Sequence, residues 1–98
     1  MFEKVNFKEL KKLYLLNNKI SDIKALENAK FEKLENLNLG WNKISNINIL
    51  ENANFRELKK LYLNNNNISD IQVLEYVNFK KLEILFLNSN KISDINIY

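Results

Sequence analysis

The 98-residue sequence predicts an α/β repeat solenoid: an arc with a parallel β-sheet on its concave face and short helical or 3₁₀ segments on its convex face. Three observations predict this fold. The sequence pattern recurs every 24 residues, leucines alternate with outward-facing residues within each unit, and a capping pair precedes apolar residues spaced by three. One such unit cannot bury its apolar side alone, so the stack as a whole must form the core.

The repeated units each begin at a phenylalanine. They span residues 7–30, 31–54, 55–78 and a shorter 79–98, and residues 1–6 match the tail of a preceding unit. Together they form a single domain, 1–98. A chain of this length buries only roughly 60 to 65% of the surface that its unfolded form exposes, so its core must be regular. The first and last residues share a phase, and no capping segment is evident. We therefore expect a chain that self-associates or belongs to a longer solenoid.

The alternating leucines of each unit predict a short strand. Leu61 and Leu63 should face inward, while Lys60, Tyr62 and Asn64 face outward. Strands spaced by a constant 24 residues can pair in parallel, each returning by the same connection. We expect strands near 12–16, 36–40, 60–64 and 84–88.

The connections between the strands predict the convex side. Ser21-Asp22, Ser45-Asn46 and Ser69-Asp70 supply N-cap chemistry, and we expect them to start short helical or 3₁₀ segments. The inward residues of these segments should be Ile23, Leu26, Ala29, Ile47, Leu50, Ala53, Ile71, Leu74 and Val77. Acidic side chains at turns can hold a cation, but no Asp-x-Asp spacing accompanies these pairs, and no metal is predicted.

Each unit contains the pattern LxxLxLxxNxI, as in residues 58–68. With this pattern the sequence resembles the leucine-rich repeat family over residues 2–98. The continuation Ile-Ser-Asp-Ile-x-x-Leu is similar to the repeats of bacterial internalins and of leucine-rich regulatory subunits of protein phosphatases, although the 24-residue period is longer than is usual there. The resemblance implies a module that recognises another protein through its curved strand face.

An asparagine and a phenylalanine recur in every unit. The asparagines are Asn18, Asn42, Asn66 and Asn90, and the phenylalanines are Phe7, Phe31, Phe55 and Phe79. A buried carboxamide offers two donors and an acceptor to the backbone of a sharp turn, so we interpret the asparagines as a structural ladder. The resemblance implies the same role. We place the phenylalanines in the core.

The outward positions of the strands are the candidate binding site, because packing does not dictate them. There, aromatic rings are interleaved with Lys and Asn, a composition typical of protein interfaces. The predicted protein-binding residues are Lys12, Tyr14, Asn38, Trp41, Lys60, Tyr62, Asn64, Ile84 and Phe86. The alternative is that the rings on the strands only shield their neighbours and that Trp41 covers a gap left by Gly40.

The composition argues against catalysis. Without Cys or His, the chain lacks thiol and imidazole chemistry and the usual ligands of zinc, haem and iron–sulfur clusters. We therefore expect no enzyme, no catalytic residue and no cofactor. No apolar run is long enough for a signal peptide or a membrane span, and the default expectation is a cytoplasmic chain without a membrane partner.

We predict a protein–protein interaction module, a scaffold whose protein partner the sequence does not name. A structural, self-assembling repeat unit is the alternative. A homodimer through the C-terminal edge strand is possible, because residues 84–87 carry no charge, whereas Lys8, Lys11 and Lys12 lie beside the first strand and discourage pairing. A nucleic-acid or anionic-ligand binder is less favoured, since the formal charge is only +3; its contacts would be Lys12, Lys19, Lys43, Lys60 and Lys91.

Overall fold

The computed structural model describes residues 7–27, 29, 31–53, 55–77 and 79–92. Within these residues the strands are β1 (Lys12–Tyr14), β2 (Asn36–Asn38), β3 (Lys60–Tyr62) and β4 (Ile84–Phe86). Between them lie 3₁₀ segments at Lys24–Glu27, Asn48–Glu51 and Gln72–Glu75. The predicted repeat tail at 1–6 and the end of the last repeat, 93–98, lie outside the described residues.

The strands form one parallel sheet in the order β1-β2-β3-β4. Its register aligns equivalent positions of successive units, so that Leu37 lies between Leu13 and Leu61. The 3₁₀ segments lie in the connections, and neighbouring segments contact each other. This architecture confirms the predicted solenoid of parallel strands and short 3₁₀ segments.

The strands are shorter than the sequence predicts, and each ends two residues before the expected position. The hydrogen-bond ladder itself continues, because Leu15 N donates to Asn38 O at 2.8 Å and Asn17 N donates to Gly40 O at 2.9 Å. At the next step the chain turns. Residues 17, 41, 65 and 89 have left-handed φ angles between 56° and 60°, a conformation that an extended strand cannot continue through.

The core is most complete in the central repeats. The leucines of β2 and β3 and those that follow them, Leu37, Leu39, Leu61 and Leu63, are fully buried, whereas their counterparts in the first and last repeats are half-buried. The phenylalanine column follows the same gradient: Phe31 and Phe55 are buried, and Phe7 and Phe79 are half-buried. The Phe31 ring stacks on that of Phe7 with centroids 5.5 Å apart. The strand leucines and the phenylalanines are therefore buried most completely in the repeats that have a described neighbour on each side.

The second residue of each predicted capping pair binds the 3₁₀ segment from one residue before the N-cap position, which Ile47 and Ile71 occupy without a side-chain hydrogen bond. Asp22 Oδ1 accepts a hydrogen bond from Lys24 N at 2.9 Å, and Asp70 Oδ1 accepts one from Gln72 N at 3.0 Å. Each carboxylate thus binds the first N–H of its 3₁₀ segment. The predicted inward residues all lie in the core or pack against it, and one further residue of the 3₁₀ segments is buried with them. In the third segment Val73, which was not predicted to face inward, is buried beside half-buried Leu74.

Ion pairs also join neighbouring repeats at their surface. Lys33 Nζ lies 3.0 Å from Glu9 Oε1, and Lys81 Nζ lies 2.9 Å from Glu57 Oε1. The hydrogen bond from Lys81, together with its charge, holds the pKa of the Glu57 carboxyl below its ordinary value. Because these side chains are largely exposed, the pairs contribute little to stability.

Candidate protein-binding surface

The outward residues of the four described strands, together with the turns that follow them, form one continuous surface, the strand face. It comprises Lys12, Tyr14, Leu16, Asn17 and Lys19 in the first repeat; Asn36, Asn38, Gly40, Trp41 and Lys43 in the second; Lys60, Tyr62, Asn64, Asn65 and Asn67 in the third; and Ile84, Phe86, Asn88, Ser89 and Lys91 in the fourth. All nine predicted binding residues lie on this face.

The turns of the strand face are held by the asparagine ladder. Asn42 Nδ2 donates to Leu39 O at 2.9 Å in its own repeat and to Leu15 O at 3.0 Å in the preceding one. Asn42 Oδ1 accepts from Asn18 N and Ile20 N, both at 2.9 Å. One buried carboxamide thereby ties two consecutive turns together. The structure confirms the predicted structural role of this column.

The predicted site residues differ in exposure. Tyr14 is 53% exposed, Trp41 59% and Phe86 46%. Lys12 is also exposed, whereas Asn38, Lys60, Tyr62, Asn64 and Ile84 are half-buried. The edge strands keep Tyr14 and Phe86 three strand spacings apart, about 14 Å. They therefore lie at opposite margins of the face, with the less exposed residues between them.

Part of the aromatic set has partners within the chain. The Tyr62 and Phe86 rings meet edge to face, with centroids 5.0 Å apart. The Tyr14 hydroxyl accepts a hydrogen bond from Asn36 Nδ2 at 3.3 Å. Cross-strand contacts of this kind stabilise a sheet, so the shielding interpretation applies in part to these three rings.

Trp41 does not cover a gap at Gly40. A Cβ atom placed on Gly40 would lie 2.8 Å from Asn64 Oδ1 and 3.2 Å from Asn38 Oδ1, so these amides already fill the space. Asn38 Oδ1 also accepts a hydrogen bond from Gly40 N at 3.0 Å. Gly40 thus leaves no gap on the side where its Cβ would lie. Glycine is needed at position 40 because neighbouring side chains approach its backbone so closely.

Two residues of the strand face that were not among the predicted site residues stand out in the structure. Leu16 is 45% exposed, although its counterparts are Gly40, Asn64 and Asn88. An apolar residue in an otherwise polar or glycine column is a sequence signal that could have identified it. Asn36 is the other. Its Oδ1 is buried and accepts no hydrogen bond in the described part of the chain, and only the packing reveals this.

The strand face offers groups suited to binding. No group of three or more Asp, Glu, Cys or His side chains in the described ranges is placed to hold a metal ion. Carboxamides, aromatic rings and ammonium groups offer hydrogen bonds, apolar area and positive charge. These are the means by which a surface binds another molecule.

Comparison with known proteins identifies the repeats. Residues 56–98 match a family model described as Leucine Rich repeats (2 copies). The crystal structure of an internalin C2 from Listeria monocytogenes has a TM-score of 0.74 and 31% identity over 91% of this chain. The repeated units are leucine-rich repeats.

A second solved structure, an internalin (inlF) from Listeria monocytogenes, matches this leucine-rich repeat chain over 91% of its length with 31% identity and a TM-score of 0.53. The aligned part is 37% of internalin C2 and 32% of the second internalin, so this chain spans about a third of each. No curated protein sequence matches it. Among the described residues, no helix is long and apolar enough to cross a membrane.

Proposed function

We propose that this leucine-rich repeat chain binds a partner protein through its strand face and has no catalytic activity of its own. Leucine-rich repeats are in general protein–protein interaction modules, and the internalin likeness agrees with that role. The observation that carries the proposal is the conformation of Trp41. The side chain of this residue is exposed, and its backbone is in the left-handed region, with φ 56°.

Folding alone does not account for a tryptophan at this position. A left-handed backbone costs a residue other than glycine about 1 to 3 kcal/mol, and asparagine tolerates it better than bulky side chains do. Asn17 and Asn65 occupy the equivalent position in neighbouring repeats. Trp41, which is 59% exposed, gains little burial in compensation. A tryptophan so placed supplies a flat, rigid contact surface to a partner.

The surroundings of Trp41 favour the same role. The hydrogen bond from Asn17 N to Gly40 O places the start of the first turn beside the turn that carries Trp41. Exposed Leu16 immediately precedes this first turn. The result is a small apolar area rimmed by amides and ammonium groups. Central apolar anchors with a polar rim are the usual anatomy of a protein interface.

Substituting Trp41 by asparagine tests the proposal, because Asn65 shows that the turn accepts this residue. We expect Trp41→Asn to weaken binding of peptides selected on the wild-type chain by about 2 kcal/mol or more. It should raise the free energy of unfolding by about 1 kcal/mol, since the left-handed strain is relieved. Isothermal titration and urea denaturation measure the two effects.

The matched control is Tyr76→Asn. Tyr76 is 63% exposed, ends the third 3₁₀ segment on the opposite side, and has Asn52 as its counterpart in the preceding repeat. This change should leave peptide affinity within about twofold. If Trp41→Asn lowered stability and spared affinity, Trp41 would belong to the scaffold, and the proposal would be lost.

A second candidate is self-association through β4. This strand, Ile84–Phe86, has no charged side chain, and its inward Leu85 is half-buried where Leu61 is fully buried. β1, at the other edge of the described sheet, begins with exposed Lys12 and follows exposed Lys11. An uncharged edge is the better site for pairing with another strand, so a two-fold dimer through β4 is favoured over an open filament.

Sedimentation of the 98-residue chain at rising concentration tests this dimer. We expect association in the micromolar range and its loss in Ile84→Lys, because Lys12 and Lys60 show that the column accepts lysine. The control Asn36→Lys places the same charge in the same column of central strand β2 and should still dimerise. A wild type that stays monomeric well above micromolar concentration would exclude the dimer.

A further inference from the structure

The charges of the chain are divided unequally over its surface. The strands and the turns that follow them, residues 12–21, 36–45, 60–69 and 84–92, contain no Asp or Glu among the 12 of the chain. They contain Lys12, Lys19, Lys43, Lys60 and Lys91. Every charged side chain in these segments is therefore positive, although the chain as a whole carries a formal charge of only +3.

The nearest carboxylates are directed elsewhere. Asp22 and Asp70, just beyond the turns, accept hydrogen bonds from backbone N–H groups of the 3₁₀ segments. Glu35 and Glu83 precede strands β2 and β4, at the end of the sheet away from the turns. The turn side of the strand face is thus free of negative side chains in the described residues.

The lysines of this surface have no ion-pair partner in the described part of the chain. The ion pairs there join Lys33 to Glu9 and Lys81 to Glu57, ahead of the strands. Lys19 and Lys43 hold the same position in adjacent repeats, and Lys43 N donates to Ile20 O at 2.7 Å, so their backbones lie about one strand spacing apart. Like charges at this spacing repel each other, and a carboxylate placed between them would relieve that repulsion.

Apolar contact area lies beside this positive rim. Trp41 lies in the same turn as Lys43, two residues before it, and Leu16 lies in the neighbouring repeat, just before the turn that carries Lys19. A ligand that fits both features carries carboxylates and apolar side chains on one short segment. Nucleic acid fits less well, because the acid-free segments contain no Arg, and acidic residues cover other parts of the surface.

We infer that the strand face binds an acidic polypeptide segment, whose carboxylates pair with Lys19 and Lys43 and whose apolar side chains pack on Trp41 and Leu16. This inference rests on the function proposed above and adds the chemical class of the partner. Its physical basis is complementarity of charge on the rim and of apolar area beside it.

The probe is a phage-displayed library of random peptides, selected on the folded wild-type chain. We expect the selected peptides to be enriched in Asp and Glu. The double variant K19E/K43E should bind these peptides at least about tenfold more weakly, with a difference that shrinks as salt rises. Selected on the same library, this variant should instead enrich peptides rich in Lys and Arg.

The matched control is K24E/K80E, which makes the same change in net charge at exposed positions in the first 3₁₀ segment and in the turn before β4. It should leave the affinity for the acidic peptides within about twofold. Circular dichroism and thermal unfolding of both double variants establish that each is folded.

Three outcomes would overturn the inference, and they separate it from the function on which it rests. Selected peptides that are not acidic, that bind Trp41→Asn more weakly and that bind K19E/K43E as well as the wild type would refute the acidic partner. They would leave the proposed binding face standing. Peptides that depend on neither Trp41 nor the lysines would refute both. Tighter binding of an oligothymidylate than of an acidic peptide of equal charge would assign the lysines to nucleic acid.

Discussion

Replacing Leu61 by alanine is expected to lower the free energy of unfolding by about 2 to 5 kcal/mol. Leu61 is fully buried in β3, between Leu37 and Leu85 of the adjacent strands. Removing its isobutyl group leaves a cavity that neighbours on both sides cannot close. A domain of this size has only roughly 5 to 15 kcal/mol of stability in total, so this single change removes a large share. Urea denaturation measures the loss.

Leu13→Ala is the matched comparison, because Leu13 occupies the same column in β1. Leu13 is half-buried and has only one neighbouring strand among those described. We expect a smaller loss, since part of this side chain is already in contact with water. Equal losses at the two positions would contradict a stack in which each repeat is stabilised mainly by its neighbours.

The features that could be predicted from the sequence are those that the repeats share. The inward leucines, the phenylalanine column and the asparagine ladder recur in each unit. A structural role assigned to a residue in one unit must therefore also suit its counterpart in the next. The parallel register follows directly, because a constant spacing of 24 residues aligns Leu37 with Leu13 and Leu61. Repetition thus makes the scaffold predictable.

Features that depend on exact backbone geometry could not be predicted in this way. The alternation of leucines does not reveal where the chain enters the left-handed region, so the predicted strands are two residues longer than the observed ones. The side-chain order of a short 3₁₀ turn is equally hidden, and the burial of Val73 beside the expected Leu74 was not predicted. Both depend on local dihedral angles, to which hydrophobic periodicity is insensitive.

The sequence predicts where the candidate site lies, but not which of its residues are most available to a partner. Outward columns follow from the period of a strand, and all nine predicted residues lie on the strand face. Which of them are free to contact a partner depends on contacts between columns. Tyr62 packs against Phe86, and the space over Gly40 belongs to Asn64, whereas Trp41 projects from a strained turn. Only the structure separates Trp41 from the other rings.

The asparagine ladder is expected to give the second large stability effect, through Asn66→Ala. Asn66 is 6% exposed. Its Nδ2 donates to Leu39 O and Leu63 O at 3.0 and 3.1 Å, and its Oδ1 accepts from Ile44 N at 3.0 Å. Alanine leaves Ile44 N without a partner in the interior, whereas Leu39 O and Leu63 O keep the hydrogen bonds that they accept from Asn42 Nδ2 and Asn90 Nδ2. Because a buried unsatisfied donor costs about 1 to 3 kcal/mol and the other hydrogen bonds of the carboxamide are lost with it, we expect a loss of about 2 to 3 kcal/mol.

Asn18→Ala separates this effect from the general cost of losing an asparagine. Asn18 is the exposed member of the ladder, and its Nδ2 binds Leu15 O and Leu16 O, both at 3.0 Å. Water can replace that donor, so the expected loss is only about 1 kcal/mol. Hydrogen exchange provides a second measurement, since Asn66→Ala should weaken protection of the Ile44 amide most strongly. If both substitutions cost the same, the buried carboxamides contribute no more to stability than the exposed one.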